Sequence, residues 1–334
     1  MNTEIDLSAF DVSKRRLIEG PSNRMMAIYP LKHTWAREVW KVMLANTWMA
    51  QEIDLSRDVK QYKELTEADR VMYDRSLAFL SNLDGIQFNN LTLNIGQYIT
   101  SPEVSMAISR QSWEEANHVD AYETMIEAIS LNPIELYTLF ARDKVLAAKN
   151  EYIMRQSNVL GSDYSAENFA LAVVANIILE GIYFYSGFLS FYTLAKMGKM
   201  LGSADMIRLI QRDEEVHLHL FVNMFKTLQQ ERPELFTTAF YQKVAVLFDE
   251  AVKLESSWGS YIIEGGVLGL TPQIISDYIK SLADDRLAMI GMPVMYAVKN
   301  PVPWVEKFSK VNGVEANFFE SRVTSYSVGG QLKW

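Results

Sequence analysis

A single all-α domain is what this 334-residue chain predicts, on three observations. Prolines and glycines are few, 9 and 16, and they punctuate long stretches of helical periodicity rather than fill them. No Asn-Gly turn stands between alternating strands. No Ser/Gly/Pro linker, low-complexity tract or shift of composition interrupts residues 30–300. The expected layout is an N-terminal arm over 1–30, a helical bundle over 31–300 and an irregular C-terminal segment and tail over 301–334.

Apolar spacing predicts helices over 34–48, 66–98, 102–129, 133–157, 165–199, 204–230, 233–264 and 272–297. Thr66 stands just before an acidic first turn, a start signal for the second of these. Ser101-Pro102-Glu103 and Thr271-Pro272 place a capping hydroxyl before a proline at the first helical position, where its missing N–H costs nothing. The helix over 165–199 reads FALAVVANIILEGIYFYSGFLSFYTLA from Phe169 to Ala195, long enough to cross a bilayer. Glu180 lies near its middle, where a carboxylate costs about 2.5 kcal/mol or more in lipid, and no other segment offers a matching span. The expectation is therefore no membrane: a helix apolar on all sides is the centre of a large bundle.

Composition narrows the function. Apolar residues make up 49% and the formal charge is −9, which argues against nucleic acid as a partner. With no cysteine, disulfides, Cys-ligated zinc, iron–sulfur clusters and thiol nucleophiles are excluded. Met1 to Arg16 lacks the continuous apolar core of a secretion signal, and the chain reads as cytoplasmic.

A buried Glu180 must find a proton, a cation or a metal. Two of the four histidines close one spacing, Glu115-Ala-Asn-His118 and Glu214-Glu-Val-His217. At i, i+3 the carboxylate and imidazole leave one helical face a turn apart and can reach one metal centre. Each such helix follows one with an acid in an apolar stretch: Asp84 in FLSNLDGIQF and Glu180 in IILEGIYF. The order acid helix, E-x-x-H helix, used twice, matches the four-helix di-metal carboxylate arrangement. Four carboxylates and two divalent cations would be neutral together, and oxygen and imidazole donors without sulfur suit iron or manganese. Seen alone, Glu115 beside Glu114 and Glu214 beside Asp213 and Glu215 would read equally well as solvated faces; His219 reads as surface or outside the ligand set, and His33 as a cap-region residue. Tyr122 at His118 + 4, Phe184 and Phe188 at Glu180 + 4 and + 8, and Ile210 at Glu214 − 4 stack on the ligand faces. The last three are core packing in any reading. Tyr122 brings a redox-active phenol that a dry apolar wall would shield.

From about Trp48 to Tyr326 the chain resembles the radical-generating small (beta) subunit of class I ribonucleotide reductase, a ferritin-like bundle with a di-metal carboxylate site in its core. The matching stretches are ANTWMAQEIDLSRD, NLDGIQ, WEEANHVDAY, LEGIYFYSGF, RLIQRDEEVH and NFFESRVTSYSVG. The resemblance implies six metal ligands, Asp84, Glu115, His118, Glu180, Glu214 and His217. These hold two ions that react with dioxygen and leave an oxidised cofactor, usually a tyrosyl radical at Tyr122. Iron comes first, with manganese or a mixed pair as alternatives. It further implies a relay through His118, Asp213, Trp48 and Tyr326 into a catalytic large (alpha) subunit that reduces ribonucleotides. Glu52, Arg212 and Glu320 match positions linked to that transfer. A homodimer is expected, the need for a flavoprotein activator and the choice of di- or triphosphate substrate stay open, and Asp213 is expected to fix the His118 tautomer. Only eight residues follow Tyr326, where the family's tail is commonly longer and acidic, so Leu332 and Trp334 are the candidates for docking in a groove of the partner. The competing readings are a ferritin-like iron oxidation or storage protein, which has no use for Tyr122, Trp48 or Tyr326, and a purely structural bundle.

Overall fold

The computed structural model describes residues 7–22 and 25–309. Among them there is no strand, only a bridge between Ile18 and Ile99. The helices are α1 (Thr34–Ala45), α2 (Ser56–Glu64), α3 (Glu67–Asn89), α4 (Pro102–Ile129), α5 (Pro133–Tyr137), α6 (Lys144–Ser157), α7 (Val159–Ser162), α8 (Ala166–Ile178), α9 (Tyr185–Lys196), α10 (Leu201–Glu231), α11 (Thr238–Ile262), α12 (Pro272–Met289) and α13 (Glu306–Ser309). The expected starts are capped as read. Thr66 accepts from Asp69 N at 3.1 Å, Ser101 from Val104 N at 3.4 Å and Thr271 from Ile274 N at 3.2 Å.

Several boundaries differ from expectation, each for a local reason. Helix α2 falls in a stretch with no helix expected; its polar sequence SRDVKQYKE buries only Asp58 and Tyr62, too little apolar periodicity to be seen. The expected 133–157 helix breaks, because Asp143 takes the N–H groups of Val145 and Leu146 at 2.9 and 3.1 Å and starts α6 afresh. Thr237 likewise delays α11 to 238 by accepting from Phe240 N at 3.2 Å. Helix α12 stops at 289 instead of 297, ahead of Gly291, whose φ of 77° is left-handed. Helix α1 ends at 45, so Trp48 lies beyond it.

The core is built from α3, α4, α8–α9 and α10. Helix α3 packs on α4 and α9, while α10 packs on α8, α9 and α4; α1 crosses α4 and α10, and α11 and α12 close the far side. Of the most apolar window in the segment Ala166–Lys196, 89% is buried, as expected of a central helix. That segment is not a regular helix. Between α8 and α9, residues Leu179–Tyr183 form a π-helical turn, and a second one, Asn90–Ile95, continues α3. Such turns are rare and concentrate at functional sites. At Gly181, inside the first, a Cβ would sit 3.0 Å from Arg286 Cγ, so the absence of a side chain lets α12 lie close to the turn.

A buried ion pair backs the same turn. Lys149 Nζ meets Glu255 Oε2 at 2.5 Å and lies 3.5 Å from the centre of the Phe79 ring, while Glu255 Oε1 accepts from Ser186 N at 3.1 Å. Of the expected N-terminal arm, residues 7–22 and 25–30 are described. Arg15 is buried and donates to the carbonyls of Ala9 and Pro30 at 2.7 and 2.6 Å.

Candidate metal centre

The four core helices bring all six expected ligands to one place. Asp84 leaves α3, Glu115 and His118 leave α4, Glu180 sits on the π-helical turn, and Glu214 and His217 leave α10; all are fully buried. They form two quartets that could each hold an ion, Asp84–Glu115–His118–Glu214 and Glu115–Glu180–Glu214–His217. Glu115 and Glu214 belong to both, so either could be shared between two ions. His118 Nδ1 lies 3.0 Å from Glu214 Oε1 and 3.4 Å from Asp84 Oδ2; His217 Nδ1 lies 2.7 Å from Glu214 Oε2 and 3.3 Å from Glu115 Oε1. The ring centroids are 5.9 Å apart.

The residues fit a metal pair by what they leave unpaired. Both oxygens of Asp84, Oε2 of Glu115, Oε2 of Glu180, Oε1 of Glu214 and Nδ1 of His118 are buried without a hydrogen bond, and all belong to the ligand set. Burial, then the charges of Glu214 and Glu115, push the Asp84 carboxyl well up; burial, then Glu115 and Glu214, do the same to Glu180. Glu214 goes the other way: burial opposes it, but the two imidazoles on either side hold it well below the usual carboxylate range. The cluster demands positive charge, and two divalent ions supply it.

Each histidine is held from behind by a carboxylate. His118 Nε2 lies 3.3 Å from Asp213 Oδ2, which also accepts from Trp48 Nε1 at 2.7 Å; Arg212 grips Asp213 Oδ1 at 2.9 Å. The Trp48 ring stacks near His118, centroids 6.3 Å apart. His217 Nε2 lies 2.9 Å from Glu114 Oε2, and Arg110 Nη2 donates to Glu114 Oε1 at 3.1 Å. Such contacts fix the tautomer and aim the ring. Glu114, Glu115, Asp213 and Glu214 are all buried, which removes the solvated-face alternative for these two acid runs. The signal for Glu114 was its position: it precedes Glu115 as Asp213 precedes Glu214.

Tyr122 is fully buried and its hydroxyl has no hydrogen-bond partner. Burial, then the charges of Asp84, Glu214 and Glu115, raise its pKa well above the usual phenol, so it stays protonated. Phe184 and Phe188 stack at 5.6 Å, and with Ile210 they belong to the same buried core as Tyr122. Glu52 is exposed and its Oε1 accepts from Met49 N at 3.0 Å. His219 is only partly buried and outside both quartets. His33 stands at the N-cap position of α1, as read, but its side chain makes no cap bond; its ring lies 2.8 Å from Ser101 Oγ and 3.0 Å from Glu231 Oε1. Glu320, Tyr326, Leu332 and Trp334 lie outside the described residues. Sequence reasoning also missed Gln87 and Gln111, whose amides both reach Glu180.

The comparisons with known proteins identify the family. The family model described as ribonucleotide reductase, small chain, matches residues 25–301. A ribonucleoside-diphosphate reductase subunit beta of Treponema pallidum is 34% identical over 324 residues, covering 95% of this chain and 92% of that one. Among solved structures, a ribonucleotide reductase R2 subunit from Clostridium botulinum is 34% identical with a TM-score of 0.86, covering 89% of this chain and 95% of that one. A class I reductase chain from Bacillus halodurans is 32% identical with a TM-score of 0.79, covering 82% and 99%. A match of this breadth, over the helices that carry all six expected ligands, means that the chain belongs to the small-chain family of ribonucleotide reductase.

Proposed function

We propose that this chain, as the beta subunit of a ribonucleoside-diphosphate reductase, stores an oxidising equivalent at Tyr122 and delivers it to a catalytic large subunit. The observation that carries the reading is the buried phenol of Tyr122 with no hydrogen-bond partner, electrostatically coupled to two metal-binding quartets that share Glu115 and Glu214. Bound at the six ligands, a pair of iron ions, or manganese or one of each, supplies the oxidising power it draws from dioxygen.

The residues of the chain do the rest. Tyr122 is neutral, so it gives up a proton and an electron together. Phe184, Phe188 and Ile210 are fully buried and apolar, a wall that keeps water from the phenoxyl. Asp213 holds His118 and the Trp48 indole on one oxygen, so His118, Asp213 and Trp48 form the inner part of a relay that runs on through Tyr326. Arg212 fixes the other oxygen of Asp213, and Glu52 and Glu320 support the surface end. Leu332 and Trp334 dock in the partner. The subunit works in the cytoplasm as a homodimer. Iron storage would need the ligands but neither the buried phenol nor the Trp48–Asp213 contact.

Electron paramagnetic resonance after reconstitution with Fe(II) or Mn(II) and oxygen tests the storage site. The expected result is a tyrosyl signal in the wild type that Tyr122→Phe abolishes while metal content is unchanged. A signal that persists in the variant would place the radical elsewhere.

A further inference from the structure

Trp48 lies beyond the end of α1 in an irregular stretch, so helical hydrogen bonds do not set where its indole stands. Side chains from two core helices do this instead. From α10, Asp213 Oδ2 accepts from the indole at 2.7 Å, and Arg212 Nη2 donates both to Asp213 Oδ1 at 2.9 Å and to the Asn46 carbonyl. From α4, Asn117 Nδ2 donates to the Trp48 carbonyl at 3.2 Å. Arg110 Nη2 reaches Thr47 Oγ1 at 2.9 Å, the Met43 carbonyl at 3.2 Å and Glu114 Oε1 at 3.1 Å. Thr47 Oγ1 gives its own hydrogen to the Leu44 carbonyl at 2.8 Å and so accepts from the arginine. The Trp113 ring covers the guanidinium at 4.0 Å, and Arg110 Nε is buried without a partner, so the hydrogen-bonded grip runs through Nη2. Residues 110, 114 and 117 stand at i, i+4 and i+7, on one face of α4.

Each arginine thus holds, on one nitrogen, a carboxylate that backs one of the two site histidines and an acceptor in the segment just before Trp48. Arg212 does so for Asp213 and His118, Arg110 for Glu114 and His217. The geometry points to Arg110 and Asn117 as positioning residues for radical transfer: from the side of α4 they fix the stretch that presents Trp48 to Asp213. The inference rests on the relay proposed above. Arg110 acts through Thr47 and the Met43 carbonyl, and Asn117 through the Trp48 carbonyl. The indole contact with Asp213 is therefore defined by α4 as much as by α10, although the bond itself belongs to α10.

Arg110→Gln separates the two halves of the grip on the whole chain. An amide at 110 can still donate to Glu114 one turn on, but it is too short to reach Thr47. After reconstitution with Fe(II) and oxygen, the variant is expected to match the wild type in metal content, tyrosyl signal and affinity for the large subunit. Nucleotide reduction at saturating large subunit is expected to fall roughly 10–100-fold. Arg110→Lys, whose ammonium carries three hydrogens, is expected to keep most of the turnover. Thr47→Val removes one acceptor at an exposed position, is expected to show a smaller loss, and serves if Arg110→Gln does not fold; normal turnover in it would then overturn the inference. So would wild-type turnover in Arg110→Gln, a lysine variant no better than the glutamine one, or a loss that accompanies missing ions, a missing radical or weaker binding of the large subunit. Trp48→Phe distinguishes this from failure of the relay: if it too turns over normally, the relay reading falls as well.

Discussion

Asp213 carries three contacts on two oxygens, which makes it the residue where metal binding and delivery can be separated. Asp213→Asn keeps all six ligands. The expected outcome is a normal tyrosyl signal with turnover in the presence of the large subunit lowered about 10–100-fold, measured by radical yield and nucleotide reduction on one preparation. A second prediction concerns stability. Asp74 accepts the Tyr62 hydroxyl on both oxygens, at 2.7 and 2.9 Å, and burial lifts its pKa to about 6 against the lowering effects of that bond and of Arg70. Between the usual carboxylate value and about 6 the folded state holds a proton that the unfolded chain has lost, so stability falls as pH rises through that window. Asp74→Asn is expected to gain about 2 kcal/mol at neutral pH, discounted for partial exposure, and little at pH 4, as read from urea melts at both. The ligands were legible because acids and histidines are scarce in apolar helices. Gln87 and Gln111 were not, since a neutral amide on a helix carries no charge pattern and its role appears only when Glu180 arrives from another helix.

At the scale of the element, the π-helical turn Leu179–Tyr183 is the irregularity on which the site depends. A widened turn upsets the regular hydrogen-bond register, and Ser186 N finds Glu255. Glu255 in turn is neutralised by Lys149, whose own pKa burial lowers to about 8 despite the pair. Lys149→Met would leave a buried carboxylate alone and is expected to cost about 3–5 kcal/mol. Lys149→Met/Glu255→Gln, neutral and still able to accept from Ser186, is expected to recover most of that loss in chemical denaturation. None of this could be read from residues 165–199, because an unbroken apolar run gives the same pattern for regular and widened turns. The capping residues Thr66, Ser101 and Thr271 were legible, whereas Asp143 was hidden inside a stretch whose apolar spacing continues across it.

For the whole molecule, the feature most open to misreading was the segment Ala166–Lys196, membrane-like by length and hydropathy; its burial inside four-helix packing accounts for both. Assembly depends on the family's large subunit, and the residues proposed to dock there end the chain. A truncation ending at Gln331 is expected to keep its tyrosyl signal and lose affinity for the large subunit in a binding titration. Normal affinity would remove Leu332 and Trp334 from the interface. Where the C-terminal segment leaves the bundle is fixed by Asp284, which accepts from Met295 N, Tyr296 N and Ala297 N at 2.8, 3.0 and 2.7 Å, and by Arg208, which donates to the Phe308 carbonyl. Tyr326 follows Ser309 by 17 residues, a leash that covalent geometry limits to roughly 60 Å. On the relay proposed above, the anchorage therefore draws a sphere around Ser309 within which the ribonucleotide-reducing partner must present its acceptor to Tyr326.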